Sequence, residues 1–236
     1  MNLIMSSKNK LDRHYYLAFC INVVGTLLAI TFARLIAHSN AYLYTWLASL
    51  WFIGLFSYEL KTYHHYLVTQ RQAFKQHWIA NLSLSVLTTI IAMGLIYVSR
   101  QLFFNQFIPQ PPLPELSPSV ETIPGMLTAL YAGVINLIVA IFEEIAYRHD
   151  LFYRYRSSKG LTIFLLIITN LGFGWSHYYN FGGSFLATTP YALAGIIFSI
   201  VYLWRRNLWI PIIAHLIFNA QSFIGAVFLL IFHLIH

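Results

Sequence analysis

The chain has 236 residues, of which 58% are hydrophobic and only 9% are charged, and its formal net charge is +7. A chain of this length usually forms one domain, and this one is too apolar for a water-soluble globular protein. Its basic residues lie between apolar runs, where they orient a protein in a bilayer, so the charge does not indicate a nucleic-acid partner. Composition therefore predicts a single integral membrane domain over residues 1–236, in contact with membrane lipids.

Three membrane-spanning helices are predicted in the first half of the chain. Apolar runs of about 18 or more residues indicate such helices, and here they cover about 17–37, 42–58 and 78–98. The polar residues 59–77 separate the second run from the third, and His64 and His65 are interpreted as solvated loop residues. Repeated prolines in residues 108–125 exclude a helix interior, so a loop is expected there.

The second half of the chain predicts four more spans. The first of these begins near Met126, and the other three cover about 161–177, 185–204 and 208–235. Ser157 or Ser158 is a plausible N-cap for the fifth span. The last segment is one long helix or two short ones broken near Gln221 and Ser222, and one is favoured because half of it is too short to cross. The expected fold is an all-α polytopic transmembrane bundle with seven spans, or eight if the tail is broken.

The distribution of Lys and Arg predicts the orientation. The N-terminus and residues 59–77, 154–159 and 205–206 are basic, whereas the intervening loops hold almost no Lys or Arg. Cytoplasmic loops carry such an excess, so a cytoplasmic N-terminus is expected. Short loops and the absence of organelle signals favour a bacterial plasma membrane.

Three sets of polar residues interrupt the apolar runs of the second half. They are Glu143-Glu144-x-x-x-Arg148, Phe173-x-x-x-His177 and His215-x-x-x-Asn219. Ionisable residues inside a bilayer are costly and by default mark a functional site. The helical rise places Glu143 and His215 roughly 15 to 16 Å from the cytoplasmic boundary, and His177 roughly 24 Å from it. A common site near the middle of the membrane, open to the cytoplasm, is therefore feasible.

In this order and spacing, the three motifs resemble the CPBP family. Its members are CAAX-prenyl-protease and bacteriocin-processing intramembrane endopeptidases, also called the Abi family. The resemblance covers about residue 142 to the C-terminus, and all three motifs match without a substitution. It implies an intramembrane endopeptidase that hydrolyses membrane-associated peptides or proteins, with a motif-bearing core at about 126–236.

The resemblance also implies a role for the motif residues. Glu143 with His177 would activate a water molecule, and His215 with Asn219 would stabilise the oxyanion. Side-chain donors aimed at a developing oxyanion are worth roughly 3 to 4 kcal/mol each.

The other motif residues are assigned to structural support of the site. Glu144 and Arg148 stand at i and i+4, which predicts an ion pair that leaves Glu143 unpaired. Phe173 completes this supporting set.

No cofactor is expected, but other hydrolytic sites stay open. Zinc held by Glu143, His177 and His215 with water as fourth ligand is the alternative, although H-E-x-x-H is absent and no short-spaced ligand pair supports it. A serine mechanism with Ser184 and His215 is disfavoured, because Ser184 falls in a glycine turn. An aspartyl dyad is disfavoured because the aspartates, Asp12 and Asp150, lie outside the apolar runs.

Each motif also has a structural interpretation. The glutamate pair would end a helix at the interface, His177 would anchor the chain there, and His215 with Asn219 would join helices by hydrogen bonds. A non-enzymatic membrane protein, such as a bacteriocin-immunity factor or a peptide transporter, is therefore the alternative function. The complete set favours an enzyme, because a binder has no need for an unpaired glutamate beside a histidine. The remaining histidines are expected at membrane boundaries without a special role: His14, His38, His77, His149, His233 and His236.

Overall fold

The computed structural model describes residues 10–235, so Lys8 of the basic N-terminus and His236 lie outside the described part. Within residues 10–235 the regular structure is helical and contains no strand, which confirms the all-α prediction. In chain order the helices are α1 (Arg13–Ala37), α2 (Ala41–Gln76), α3 (Trp78–Phe107), α4 (Ile123–Glu143), α5 (Lys159–Trp175), α6 (Thr189–Arg205) and α7 (Trp209–Ile235). A π-helical segment, Glu144–Asp150, continues α4.

Four helical segments in the described residues are long and apolar enough to cross a membrane. They are α1, α3, α4 with its continuation, and α7. Helices α5 and α6 have 17 residues each, and about 25 Å of helix is less than the roughly 30 Å of a hydrocarbon core. The protein is thus an integral membrane protein with four candidate spans, and the total of seven or eight stays a prediction.

Residues 59–77 do not form the predicted loop, because α2 runs without a break from Ala41 to Gln76. Residues 59–77 contain neither Gly nor Pro, so they contain no residue that interrupts a helix. Tyr63 and Leu67, four residues apart, are buried and give the polar stretch one packed face. His64 and His65 are exposed as expected, but they lie on a helix.

Two local predictions are confirmed. The Ser158 hydroxyl accepts a hydrogen bond from the Leu161 amide at 3.3 Å and so caps α5. The tail is the single helix α7, unbroken at Gln221 and Ser222. The proline-rich residues 108–122 carry no long helix, and α4 begins just after them with Pro124 in its first turn.

The segment Glu144–Asp150 lies at the centre of the packing. All seven of its residues are buried. Its apolar members Ile145, Ala146 and Tyr147 belong to a core cluster that also includes Leu165 and Phe173 of α5. The charged residues of this segment are therefore surrounded by protein and not by lipid, which is where ionisable groups at membrane depth are tolerated.

Candidate active site

The glutamate pair stands where α4 changes its hydrogen-bond pattern. Glu143 is the last α-helical residue and Glu144 opens the π-helical segment. The Leu151 amide bonds to the Ala146 carbonyl, five residues back, at 2.8 Å. Such π-turns are frequent at functional sites. Both glutamates are buried, with 4% and 0% of their surface exposed, so neither carboxylate is solvated.

Glu144 joins two of the predicted motifs. One carboxylate oxygen lies 3.2 Å from Nε of Arg148, four residues on. The other bonds to Nδ1 of His215 in α7 at 2.8 Å. The contact with His215 is not part of the ion pair expected from the sequence. It makes Glu144 a bridge that fixes the plane of the His215 ring.

Glu143 faces the opposite nitrogen of the same ring. Its Oε2 lies 3.8 Å from Nε2 of His215, which is beyond hydrogen-bond distance. This oxygen is buried and has no hydrogen-bond partner in residues 10–235. One edge of the carboxylate is therefore held ready to accept a hydrogen bond that the protein itself does not supply.

Arg148 is fully buried, and its guanidinium is held mainly by aromatic rings. Its Cζ lies 4.0 Å from the ring centre of Phe173 and 5.5 Å from that of Phe198. None of its three guanidinium nitrogens makes an aligned hydrogen bond within the described part of the chain, so the pairing with Glu144 is electrostatic. Cation–π contact stabilises such a cation where water is excluded.

Gly195 of α6 provides the space for this guanidinium. A Cβ at position 195 would stand 2.9 Å from Nη2 of Arg148 and 2.5 Å from Oδ1 of Asn170. Both distances are below van der Waals contact, so a larger residue would displace one of these side chains. Glycine at this point is therefore required by the close approach.

Phe173 contacts both histidines of the predicted site. Its ring centre lies 5.1 Å from that of His177 and 5.9 Å from that of His215, edge to face in both cases. Together with its contact to Arg148, this places Phe173 between the three motifs. The supporting residue named from the sequence is thus a packing centre.

His177 follows the end of α5 and is held by local hydrogen bonds. Its Nδ1 lies 2.9 Å from the Phe173 carbonyl and 3.1 Å from Oγ of Ser176. Because a carbonyl can only accept, Nδ1 carries the proton, and in a neutral ring Nε2 is then an acceptor. The ring packs against Tyr191 at 4.5 Å between centres. No polar contact joins His177 to Glu143 among the described residues.

Asn219 lies one turn beyond His215 on α7. Its Nδ2 donates to the backbone carbonyl of Asn136 in α4 at 2.9 Å. This bond uses one of the two N–H groups of the amide and orients the other.

A small apolar cavity adjoins His215. Its lining comes from α3, α5, α6 and α7 and consists of Ala92, Ile96, Phe173, Tyr191, Ala194, Phe198, His215 and Phe218. His215 and Tyr191 are the ionisable residues of this lining, and the other lining residues are apolar. The cavity could therefore hold an apolar side chain of a peptide whose reacting group lies next to His215.

The residues of the alternative sites are placed differently. Glu143 and His215 are adjacent, but the described residues contain no group of three His, Cys, Asp or Glu side chains that could hold a metal ion. A zinc ion would thus require His177 to approach the other two. Ser184 accepts a hydrogen bond from the Ala187 amide at 3.2 Å and caps a turn.

His14 and His149 were expected to have no special role, but both make polar contacts inside the bundle. Asp150 is fully buried and accepts hydrogen bonds from His14 at 2.9 Å, from Arg154 at 3.2 Å and from Tyr63. His149 is 1% exposed and bonds to Tyr202 at 2.7 Å. The reason is that residues after Glu144 stay inside the bundle, because α1 and α2 cover them. His38, His77 and His233 are exposed.

Polar contacts between the first helices and the motif segment were not predicted from the sequence. The Tyr147 hydroxyl donates to the Asn22 carbonyl at 2.9 Å, and the Asn22 amide donates to Glu59 at 3.4 Å. Glu59 is completely buried. The available signal was the spacing of Glu59, Tyr63 and Leu67 at successive fourth positions, which marks one helical face.

Comparison with known proteins agrees with the motifs. No curated protein and no solved structure gives a significant match to the chain. Residues 125–221 match the family model for the Rce1-like type II CAAX prenyl endopeptidases, and this range contains all seven motif residues described above. This match supports the resemblance of the motif-bearing part of the chain to the CPBP family of CAAX-type intramembrane endopeptidases.

Proposed function

We propose that the protein hydrolyses peptide bonds of membrane-associated peptides or proteins at the Glu143–His215 centre. The observation that carries the proposal is the arrangement of the glutamate pair. Glu144 holds Arg148 and His215 at 3.2 and 2.8 Å, while Glu143 keeps a buried oxygen without a hydrogen-bond partner among residues 10–235. A general base needs such a free oxygen, and its position 3.8 Å from Nε2 of His215 distinguishes it from other buried oxygens without a partner, such as that of Glu59.

Glu143 and His177 are proposed to activate the attacking water. The carboxylate accepts a proton as the water oxygen bonds to the peptide carbonyl carbon, and that proton later passes to the leaving amine. His177 supports this role because its bond to the Phe173 carbonyl leaves Nε2 as an acceptor in the neutral ring. General-base catalysis of this kind contributes roughly a hundredfold to ten-thousandfold.

His215 and Asn219 are proposed to stabilise the oxyanion. The bond from Nδ1 to Glu144 fixes the His215 ring so that its Nε2 faces the Glu143 side of the site, where it is the ring atom available to the substrate oxygen. Asn219 contributes its second N–H, which the bond to the Asn136 carbonyl leaves free.

The substrate is proposed to be membrane-associated because the site lies among membrane-spanning helices. The family description names CAAX prenyl endopeptidases, so a prenylated C-terminal peptide is one class to test, and an unmodified transmembrane peptide is the other. We further propose a cytoplasmic N-terminus in a bacterial plasma membrane, surrounded by lipids and without a nucleic-acid partner. The basic residues between the apolar runs support this orientation.

We infer that water activation needs no metal, because a base and oxyanion donors are both present and an amide is a poor zinc ligand. The zinc alternative with Glu143, His177 and His215 makes a different prediction, although Glu144 would orient His215 equally well for a metal. Extended dialysis against a zinc chelator leaves activity unchanged under our proposal. Loss of activity that zinc alone restores would overturn it.

The test of the function is cleavage by the purified protein in lipid nanodiscs. Two internally quenched peptides serve as probes: one farnesylated and ending in a CAAX sequence, the other an unmodified apolar segment. We expect cleavage of at least one, with new termini identified by mass spectrometry. Glu121→Gln, which changes an exposed loop carboxylate, is the matched control and should cleave normally. Binding of both peptides without cleavage would support the peptide-binding or immunity alternative.

A further inference from the structure

A second polar feature extends from the site along the junction of α4 and α7. Asn136 lies seven residues before Glu143, and Ser222 lies seven residues after His215, so each stands two turns from the site on the same helical face. The Asn136 amide donates to the Ser222 hydroxyl at 3.4 Å, and that hydroxyl donates to the Asn219 carbonyl at 2.9 Å. We call Asn136, Asn219 and Ser222 the polar seam.

The polar seam is not enclosed by the bundle. Asn136 and Ser222 are exposed, and Asn219 is half-buried. One turn farther from the site, α4 and α7 come so close that a Cβ on Gly133 would stand 2.8 Å from Cα of Phe223. The seam therefore reaches from the outer surface of the bundle to Asn219 and ends where the two helices meet.

The seam has unused hydrogen-bonding capacity. The amide oxygens of Asn136 and Asn219 have no hydrogen-bond partner in residues 10–235, and each amide retains one free N–H after its single bond. Hydrocarbon chains provide no partners for such groups, so leaving them exposed in a membrane is costly. A resident polar ligand would remove that cost.

An extended peptide has the complementary groups. A peptide segment must be unwound before its backbone can be hydrolysed, and its free N–H and C=O groups then need partners in an apolar surrounding. A primary amide presents one donor and one acceptor side by side, as a peptide unit does. Two such amides lie on the path to Glu143 and His215.

We propose that the polar seam binds the backbone of the unwound substrate peptide next to the scissile bond, with Asn136 as a substrate-binding residue. This inference rests on the proposed function, since the occupant is the substrate of the same site. It makes the seam selective for backbone groups and indifferent to the side chains of the peptide.

Binding to the uncleaving Glu143→Gln protein tests the seam without requiring turnover. In nanodiscs, the farnesylated and the unmodified peptide, each carrying a fluorescent label, are titrated by fluorescence anisotropy. Adding Asn136→Leu, which preserves size and the backbone carbonyl that orients Asn219, should weaken binding about tenfold. Gln221→Leu is the matched control: it removes an exposed amide on α7 that bonds to Phe218 and not to the seam, and it should change nothing.

A peptide with methylated backbone nitrogens separates backbone binding from other effects. The methylated peptide should bind the Glu143→Gln parent about tenfold more weakly than the unmethylated one. When Asn136→Leu is added, the affinity for the methylated peptide should fall little further, because both changes remove the same hydrogen bonds.

Three results would contradict the proposal that the polar seam binds the peptide backbone. They are equal affinity of both variants, fully additive losses from methylation and mutation, and absence of binding by the parent protein. A change of oligomeric state in Asn136→Leu with unchanged peptide affinity would identify the seam as a self-association surface instead. Retained, seam-dependent binding together with an inactive wild-type protein would leave the seam in place and overturn the protease.

Discussion

Two buried charged clusters lie on the same segment after α4, and they share one local pattern. Glu144 has Arg148 four residues later, and Asp150 has Arg154 four residues later. Each acid also bonds to a histidine from a different helix, His215 in the first case and His14 in the second. By sequence spacing alone the two clusters are equivalent.

The clusters differ in how fully their hydrogen bonds are satisfied. The Asp150 carboxylate accepts from His14, Tyr63 and Arg154. In the first cluster Arg148 makes no aligned hydrogen bond in residues 10–235, and the neighbouring Glu143 keeps an unpaired oxygen. Buried polar groups in native proteins are normally satisfied, so the exceptions need an explanation. The spacing of acid and arginine therefore builds a buried pair in both clusters. A buried carboxylate oxygen without a partner is not peculiar to Glu143, since Glu59 near the second cluster has one as well, so it is the position of Glu143 beside His215 that indicates chemistry.

The largest loss of stability is expected from Glu144→Gln, which changes the acid of the first cluster. The change removes the carboxylate that lies 3.2 Å from Arg148 and leaves this buried cation without its ion-pair partner. We expect a stability loss of about 3 to 5 kcal/mol, with reduced activity because His215 loses its charged partner. Thermal unfolding in nanodiscs measures it, and a stability equal to the wild type would contradict the bridging role of Glu144.

The Asn219→Ala variant addresses the first cluster through its proposed oxyanion donor. Because the donor acts mainly in the transition state, we expect turnover to fall about a hundredfold while KM changes little. Steady-state kinetics on the quenched peptide separates the two constants. A variant with normal turnover and weakened zinc retention would instead favour the metal-dependent site.

Gly195→Ala tests whether the position of Arg148 matters. The added methyl would meet Nη2 of Arg148 and Oδ1 of Asn170 at 2.9 and 2.5 Å, so we expect a loss of about 1 to 3 kcal/mol from overpacking and lower activity. Gly94→Ala in α3 meets nothing within 4 Å and is the matched control, with stability unchanged or slightly higher. Equal behaviour of the two variants would show that Arg148 tolerates displacement.

The smallest effect is expected in the second cluster. Tyr63→Phe removes one of three partners of Asp150, and His14 and Arg154 remain. We expect a loss of about 1 kcal/mol and no change in peptide cleavage. Tyr58→Phe, at an exposed position of the same helix, controls for the substitution itself. A large loss of activity in Tyr63→Phe would mean that the second cluster is also part of the site.

The sequence predicted the helices and the motif residues better than their contacts. Apolar runs and the Ser158 cap located the helices, because these signals are local. The contact between Glu144 and His215 joins residues 71 positions apart, and local spacing carries no information about it. The burial of Asp150 was missed for the same reason, since α1 and α2 cover it from a distant part of the chain.

The polar half of α2 shows a different limit. Its charged residues led to the prediction of a loop, although Glu59, Tyr63 and Leu67 already mark a buried helical face. Hydropathy averaged over a window hides such a face, because the lysines and histidines on the opposite side dominate the average. A reading by helical position would have found it.

The most direct test of the account is the turnover of Glu143→Gln beside its thermal stability, with Glu144→Gln measured in parallel. Glutamine keeps the size of Glu143 and removes its basicity, and no hydrogen bond to Glu143 Oε2 within residues 10–235 is lost. The account predicts that cleavage falls about a thousandfold or more, while unfolding occurs at the wild-type temperature or above it. Retained cleavage by Glu143→Gln, or a stability loss equal to that of Glu144→Gln, would contradict the assignment of Glu143 as the base.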